Sequence, residues 1–224
     1  ITNKGNVSGS ISVDVKDAVG CKRYSGITIS GVNVQDSPDW LKNKLKAIGV
    51  RPINNIVDAT NYILHDLGQP LHAFDADKIS GGKIIVGSLS EGTVFKTLDE
   101  VERKLSGNEL MIADASGGLC IAGVFGGINS GVTATTKNIF LESAYFDSVL
   151  VRKAARFHGL HTDSSFRFER GTDPEMTITA LDKAVKLITE IAGGKAEATY
   201  VDFYPTKVEN KKIELSYTYL NTLA

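Results

Sequence analysis

The chain has 224 residues, 42% hydrophobic and 23% charged, enough for one sizeable core or two small ones. Its 25 Lys and Arg against 26 Asp and Glu give a formal net charge of −1, which excludes a strongly basic nucleic-acid coat and an acidic tail. No apolar run approaches the roughly 20 residues of a membrane span, and Ile1 to Asp17 is polar, so a soluble, cytoplasmic protein without a membrane partner is expected.

The opening ITNKGNVSGSIS mixes Gly, Ser, Asn and Thr without periodicity and reads as a linker entering from something upstream. Lys22 to Val34 alternates as one long strand or a hairpin broken at Gly26 or Gly31. Ser37 as N-cap, Pro38 at the first helical position and Leu41, Leu45 and Ile48 on one face predict a short helix ending at Gly49. A second helix is predicted from Asn54 to Leu67, stopped by Gly68. Its other face carries Asn54, Asp58, Asn61 and His65 as a polar stripe, for which solvation is the plain expectation. From Lys83 to Phe146 the runs KIIVG, TVFKTL, ELMIA, CIAGVF and NIFLESAYF are strand-like. Ser148 to Phe157 and a stretch opened by Asp173-Pro174 and closed by Gly193-Gly194 are helical in pattern. Strands in the middle and helices at either end predict an α+β fold, a sheet-rich body with flanking helices.

The four histidines fall in two windows, His65 with His72 and His158 with His161. Neither has ligand spacing, and Cys21 and Cys120 are far from both, so no metal site is expected and the cysteines read as reduced core thiols. His72 follows Gln69-Pro70 in an extended segment, where an imidazole orients a water, polarises an ester or caps a backbone group. Gly123 to Gly127 matches no phosphate-binding fingerprint; it suits close backbone approach to a ligand or tight turns between strands. In NIFLESAYF, Glu142 shares a face with Phe140, Ala144 and Phe146, so it lies at an exposed edge or is buried for a purpose, with a ligand hydroxyl as a natural partner. Arg152, Lys153, Arg156, Arg167 and Arg170, interleaved with Phe157, Phe166 and Phe168, form a local basic patch that suits nucleic-acid contact or plain packing.

Taken in order and spacing, RPINNIVDATNYILHDLGQPLHAFD, GVFGGINSGV, NIFLESAYF and RFHGLHTDSSFRFERGTDP closely resemble the B3/B4 module of bacterial phenylalanyl-tRNA synthetase beta chains, from about Lys22 to Gly194. KKIELSYTYLNTLA looks like the opening of the next domain, B5, cut short. The resemblance implies residues 1–21 as linker and first strand entry, 22–206 as the editing domain and 207–224 as the start of B5. It implies hydrolysis of tyrosine wrongly esterified to the phenylalanine tRNA. A pocket built to hydrogen-bond the para-hydroxyl can prefer the wrong product, where a pocket shaped for phenylalanine cannot strongly reject it. By the same resemblance His72 and Asn61 act near the ester. Glu142 recognises the tyrosine hydroxyl, Gly126 leaves room for the ring and Thr162 lines the pocket. Ser164 stands where related chains often have alanine. The implied partners are the aminoacylated end of tRNA(Phe) and the synthetase alpha chain of a full heterotetramer. No cofactor is expected here, ATP and magnesium belonging to the whole synthetase. A non-catalytic scaffold for subunit and tRNA contact, and a free-standing deacylase, are the competing readings.

Overall fold

Residues 10–210 and 212–223, which the computed structural model describes, open on two strands, place most of their helices on either side of a run of short strands, and return to strand near the end. In chain order these are β1 (Ser12–Val15), β2 (Cys21–Ser30), α1 (Asp39–Ala47), α2 (Asn55–Leu67) and β3 (Leu71–Asp75). Short strands follow: β4 (Lys83–Gly87), β5 (Val94–Lys96), β6 (Glu102–Lys104), β7 (Met111–Ala113), β8 (Gly118–Ile121) and β9 (Phe125–Gly126). The last part holds β10 (Asn138–Phe146), α3 (Ser148–His158), α4 (Asp163–Phe168), α5 (Met176–Ala192), β11 (Lys195–Ala196), β12 (Val201–Phe203) and α6 (Tyr217–Leu223).

Two larger sheets and a small hairpin result. One sheet runs β1-β4-β7-β8-β9, with β1 parallel to β4 and the rest antiparallel. The other runs β11-β2-β10-β3, with β12 also on β2, and is antiparallel throughout. The hairpin pairs β5 with β6. The antiparallel sheet is the middle layer. Ile27, Ile29, Ile139 and Leu141 on one face pack with Ile56 and Ile63 of α2 and Leu181 and Ile188 of α5. Tyr24, Phe140, Ala144 and Phe146 on the other pack with Ile84, Met111 and Ile112 of the first sheet and with α3 and Phe168. Alternation along β10 thus feeds two cores, as its sequence pattern predicts.

Several details differ from the sequence expectations, each for a local reason. Of the two readings of Lys22 to Val34 the single strand is the one found: β2 runs unbroken through Gly26, since pairing with β10 on one edge and β12 on the other holds the glycine extended. Ser37 is not the cap of α1. Pro38 occupies that position, and the Ser37 hydroxyl instead donates to Asp58 Oδ2, tying the entry of α1 to α2. Leu41 and Leu45 are buried, whereas Ile48 is exposed at the C-cap. The helix expected from Asp173-Pro174 begins at Met176, because Asp173 Oδ1 accepts from Glu175 N–H in a turn before it. Residues 1–9 of the expected linker lie outside the described residues. In the rest of that segment Ile11 is buried and Ser12–Val15 pairs in register with Lys83–Val86.

Asn54 and Gly68 frame α2 as its pattern predicts. The Asn54 side chain accepts from Ile56 and Val57 N–H, and Gly68 closes the helix in the left-handed region at φ +72. The polar stripe on α2 is not a solvated face. Asp58 is wholly buried, accepting from Ser37 and from Ile53 N–H, and His65 and Asn61 are half-buried.

At Gly26 the chain passes so close to the Phe140 ring that a Cβ would fall 2.3 Å from Cζ. Phe140 is itself enclosed in the core, so Gly26→Ala is expected to lower unfolding free energy by about 1–3 kcal/mol through overpacking. Urea titration checks this, as a lower midpoint at unchanged slope.

Candidate active site

The site begins with the position of β10 between β2 and β3. Glu142 stands opposite His72 on β3 and opposite Gly26 on β2. Directly opposed residues of an antiparallel pair project to one face with Cβ atoms about 4.5–5.5 Å apart, so the register brings carboxylate and imidazole side by side. Because β10 is an internal strand, Glu142 is buried rather than at an edge, with 6% of its surface exposed. Its Oε2 accepts a 2.6 Å hydrogen bond from the hydroxyl of Tyr24. Burial pushes the Glu142 carboxyl up to about 7, against the pull of that hydrogen bond toward the charged form. The Tyr24 phenol is itself driven well above its ordinary range, first by burial and then by the Glu142 charge.

His72 is half-buried, with its ring edge-on to Phe74 at 4.4 Å between centroids. Its Nε2 is enclosed and has no partner among the described residues, so this nitrogen caps none of their backbone groups. Burial alone depresses the imidazole to about 4, which leaves it neutral at pH 7. An enclosed ring nitrogen without a partner costs roughly 1–3 kcal/mol unless a ligand or water completes it, and such groups concentrate at sites of function.

Around this pair lies a cavity of about 410 Å³, within the ordinary range of ligand pockets. His72, Asn61, Glu142, Gly126, Thr162 and Ser164, the six residues singled out from the sequence, all border it. Asn61 projects from the second turn of α2, and its amide makes no hydrogen bond among the described residues. Gly126, on β9, faces the imidazole: a Cβ there would lie 3.0 Å from Leu98 Cδ1 and 3.3 Å from His72 Cε1. Thr162 has a second task. Its hydroxyl donates to Val124 O and accepts from Ser165 N–H, capping α4 and tying that helix to the turn between β8 and β9. The Ser164 hydroxyl makes no hydrogen bond among the described residues. Cys120 also borders the cavity, with its thiol on the carbonyls of Ile121 and Phe125 and its pKa raised by burial.

Sequence reasoning missed Tyr24, the cavity-lining Cys120 and the whole of α4. Tyr24 is the fourth residue of β2 in an unremarkable alternating run, and only the pairing of β2 with β10 gives it a role. The Thr162-to-Ser165 spacing forms a capping box with Ser in the place usually held by Glu or Gln, which hid the helix start. The basic patch divides. Phe168 is core, while Phe157 and Phe166 are exposed, as are Arg152, Lys153 and Arg156, and Arg170 stacks on Phe166 at 3.6 Å. The other histidines stand apart from the cavity: His158 Nε2 meets Glu109 Oε1 at 3.0 Å, and His65 Nε2 lies 3.7 Å from Asp163 Oδ2. Among the described residues no cluster of three or more His, Cys, Asp or Glu could hold a metal ion, and no helix is long and apolar enough to cross a membrane.

An antiparallel sheet thus lies between a helical layer and a second sheet, with this cavity at its β3 edge. The chain belongs to the B3/4 domain family, whose model matches residues 20–193. It is 53% identical over 213 residues to a phenylalanine–tRNA ligase beta subunit of Bacteroides fragilis, covering 95% of this chain and 26% of that one. The corresponding beta subunit of Porphyromonas gingivalis is 53% identical over 218 residues, covering 97% of this chain and 26% of that one. The chain therefore spans about a quarter of the length of these relatives. In fold it is similar to an N-terminal fragment of the phenylalanyl-tRNA synthetase beta subunit from Pyrococcus horikoshii. The TM-score is 0.56 at 15% identity, over 99% of this chain and 62% of that one.

The depressed pKa of His72 has a direct readout. The Cε1 proton resonance of His72 is expected to stay unshifted from about pH 8 to pH 5.5, with a midpoint near 4. A midpoint near the usual imidazole value of about 6.5, observed by NMR titration, would show the ring to be solvated.

Proposed function

We propose that this chain is the editing domain of a phenylalanine–tRNA ligase beta subunit, and that its cavity hydrolyses tyrosine esterified to tRNA(Phe). The observation that carries the reading is the meeting of Glu142 and His72 across one strand pair in a cavity large enough for an aromatic amino acid. The beta subunits that it resembles, and the family to which it belongs, support the same reading. In that setting the partners are the aminoacylated end of the tRNA and the ligase alpha chain, in the cytoplasm. ATP and magnesium serve aminoacylation elsewhere in the assembly.

A water molecule is the nucleophile. Cys120 is a poor one, because burial holds its thiol protonated, and Ser164 has no imidazole hydrogen-bonded to it among the described residues. The water oxygen attacks the ester carbonyl, the bond from that carbon to the ribose oxygen breaks, and the ribose oxygen leaves with a proton. Free tyrosine and a tRNA with its terminal hydroxyl restored are the products. The neutral His72 ring and the Asn61 amide bind and orient that water and the ester. The rate comes chiefly from positioning, worth orders of magnitude when the reacting atoms are held in contact. Glu142 accepts the para-hydroxyl of tyrosine, a charge-assisted bond that phenylalanine cannot make, while Gly126 keeps open the space beside the imidazole.

The test is single-turnover deacylation of Tyr-tRNA(Phe) and Phe-tRNA(Phe) by the complete synthetase and by this chain alone. His72→Ala is expected to slow Tyr-tRNA(Phe) hydrolysis on the order of 10²-fold. Glu142→Ala is expected to cut the preference for the tyrosyl over the phenylalanyl ester by about 10- to 100-fold, the value of one hydrogen bond to a charged group. Equal parent rates on both esters would sink the assignment and favour the scaffold reading.

A further inference from the structure

Glu142 is recognised by a residue that does not reach the cavity. Tyr24 is wholly buried on β2 and does not border the cavity, yet its hydroxyl is bonded to Glu142 Oε2 at 2.6 Å. The register explains how. Tyr24 pairs with Ala144 and Gly26 with Glu142, so the phenol reaches the carboxylate along the diagonal, past a position without a side chain. A phenol has one proton to donate, and Tyr24 spends it on Oε2. Glu142 Oε1 makes no hydrogen bond among the described residues, and Glu142 borders the cavity.

We propose that Tyr24 is a positioning residue for recognition of a hydroxylated ring: it fills Oε2, fixes the carboxylate in one orientation, and leaves Oε1 as the single acceptor for the ligand phenol. The inference rests on the editing reading of the cavity. It adds a residue to that site whose action passes entirely through Glu142.

Among the described residues no other neighbour of Glu142 does this work. The titratable groups that face it are Cys21 on β2, Cys120 on β8 and His72 on β3. Both thiols are held protonated by burial and the imidazole is neutral at pH 7, so none supplies a compensating charge. The hydroxyls of Thr162 and Ser164 face the same cavity from α4 and are neutral. The Tyr24 hydrogen bond is the contribution that favours the ionised carboxylate against burial. Without it Glu142 holds its proton to higher pH, and a neutral carboxyl accepts a phenol proton more weakly than a carboxylate does.

The experiment measures, in the assembled synthetase, the ratio of single-turnover deacylation rates for Tyr-tRNA(Phe) over Phe-tRNA(Phe) between about pH 6 and pH 9. Tyr24→Phe is expected to lower that ratio about tenfold at pH 7, and to move the midpoint of its pH profile up by about one unit. In a Glu142→Gln background Tyr24→Phe is expected to change the ratio no further. Where Tyr24→Phe fails to fold, Tyr24→3-fluorotyrosine keeps the ring and donates more strongly, and the midpoint is expected to move down. A parent that prefers tyrosyl ester, with a ratio and midpoint unmoved by these substitutions, overturns the role of Tyr24 alone. An equal loss in the Glu142→Gln background also overturns it. A parent with no preference overturns the editing reading, and this inference with it.

Discussion

The antiparallel register of β10 against β2 and β3 is the constraint on which the rest of the site depends. Side chains alternate along a strand with a period of two, so pairing Glu142 with His72 also commits Phe140, Ala144 and Phe146 to one core and Ile139 and Leu141 to the other. A slip of one residue would carry Glu142 into the layer packed against α2 and α5, where the neighbours are aliphatic. The large apolar side chains on both faces therefore do more than stabilise the sheet. They specify which way a single carboxylate points.

Placing that carboxylate inside an internal strand is costly, and the structure limits the cost locally. Tyr24 supplies one donor, and the cavity leaves part of the group open. The surrounding walls are fixed in the same economical way, by side chains that close an element and join it to another. Asp58 holds the approach to α2 through Ser37 and Ile53, and Thr162 caps α4 while gripping the turn after β8. The cavity is bounded by elements held to one another by side-chain hydrogen bonds, which suits a site that must position an ester and a water rather than enclose them by a large movement.

Much of this was legible in the sequence because local physics carried it. Asn54 and Gly68 announced the ends of α2, and the alternation of NIFLESAYF announced β10 and the side on which Glu142 lies. What was not legible depends on partners distant along the chain. β1 has four residues after a Gly- and Ser-rich stretch, and it is a strand because Lys83–Val86 lies beside it. The polar stripe of α2 resembled a solvated face because nothing within it revealed that Ser37 would reach Asp58. The placement of Asn61, Gly126, Thr162 and Ser164 was expected from a resemblance and not from spacing. Their meeting at one cavity depends on the packing of α2, β9 and α4, which no single motif encodes.

Burial moves the two opposed groups of the site in contrary directions, and this gives the folded domain a particular response to acid. As pH falls from about 7 toward 4.5, the folded state takes up a proton at Glu142 that the unfolded chain does not, and folding is favoured. As pH falls from 6.5 toward about 4, the unfolded chain takes up a proton at His72 that the folded state refuses, and folding is disfavoured. The two windows overlap over most of their width. The strand pair is thus an internal proton counterweight, in which two strongly perturbed groups load the fold with opposed slopes.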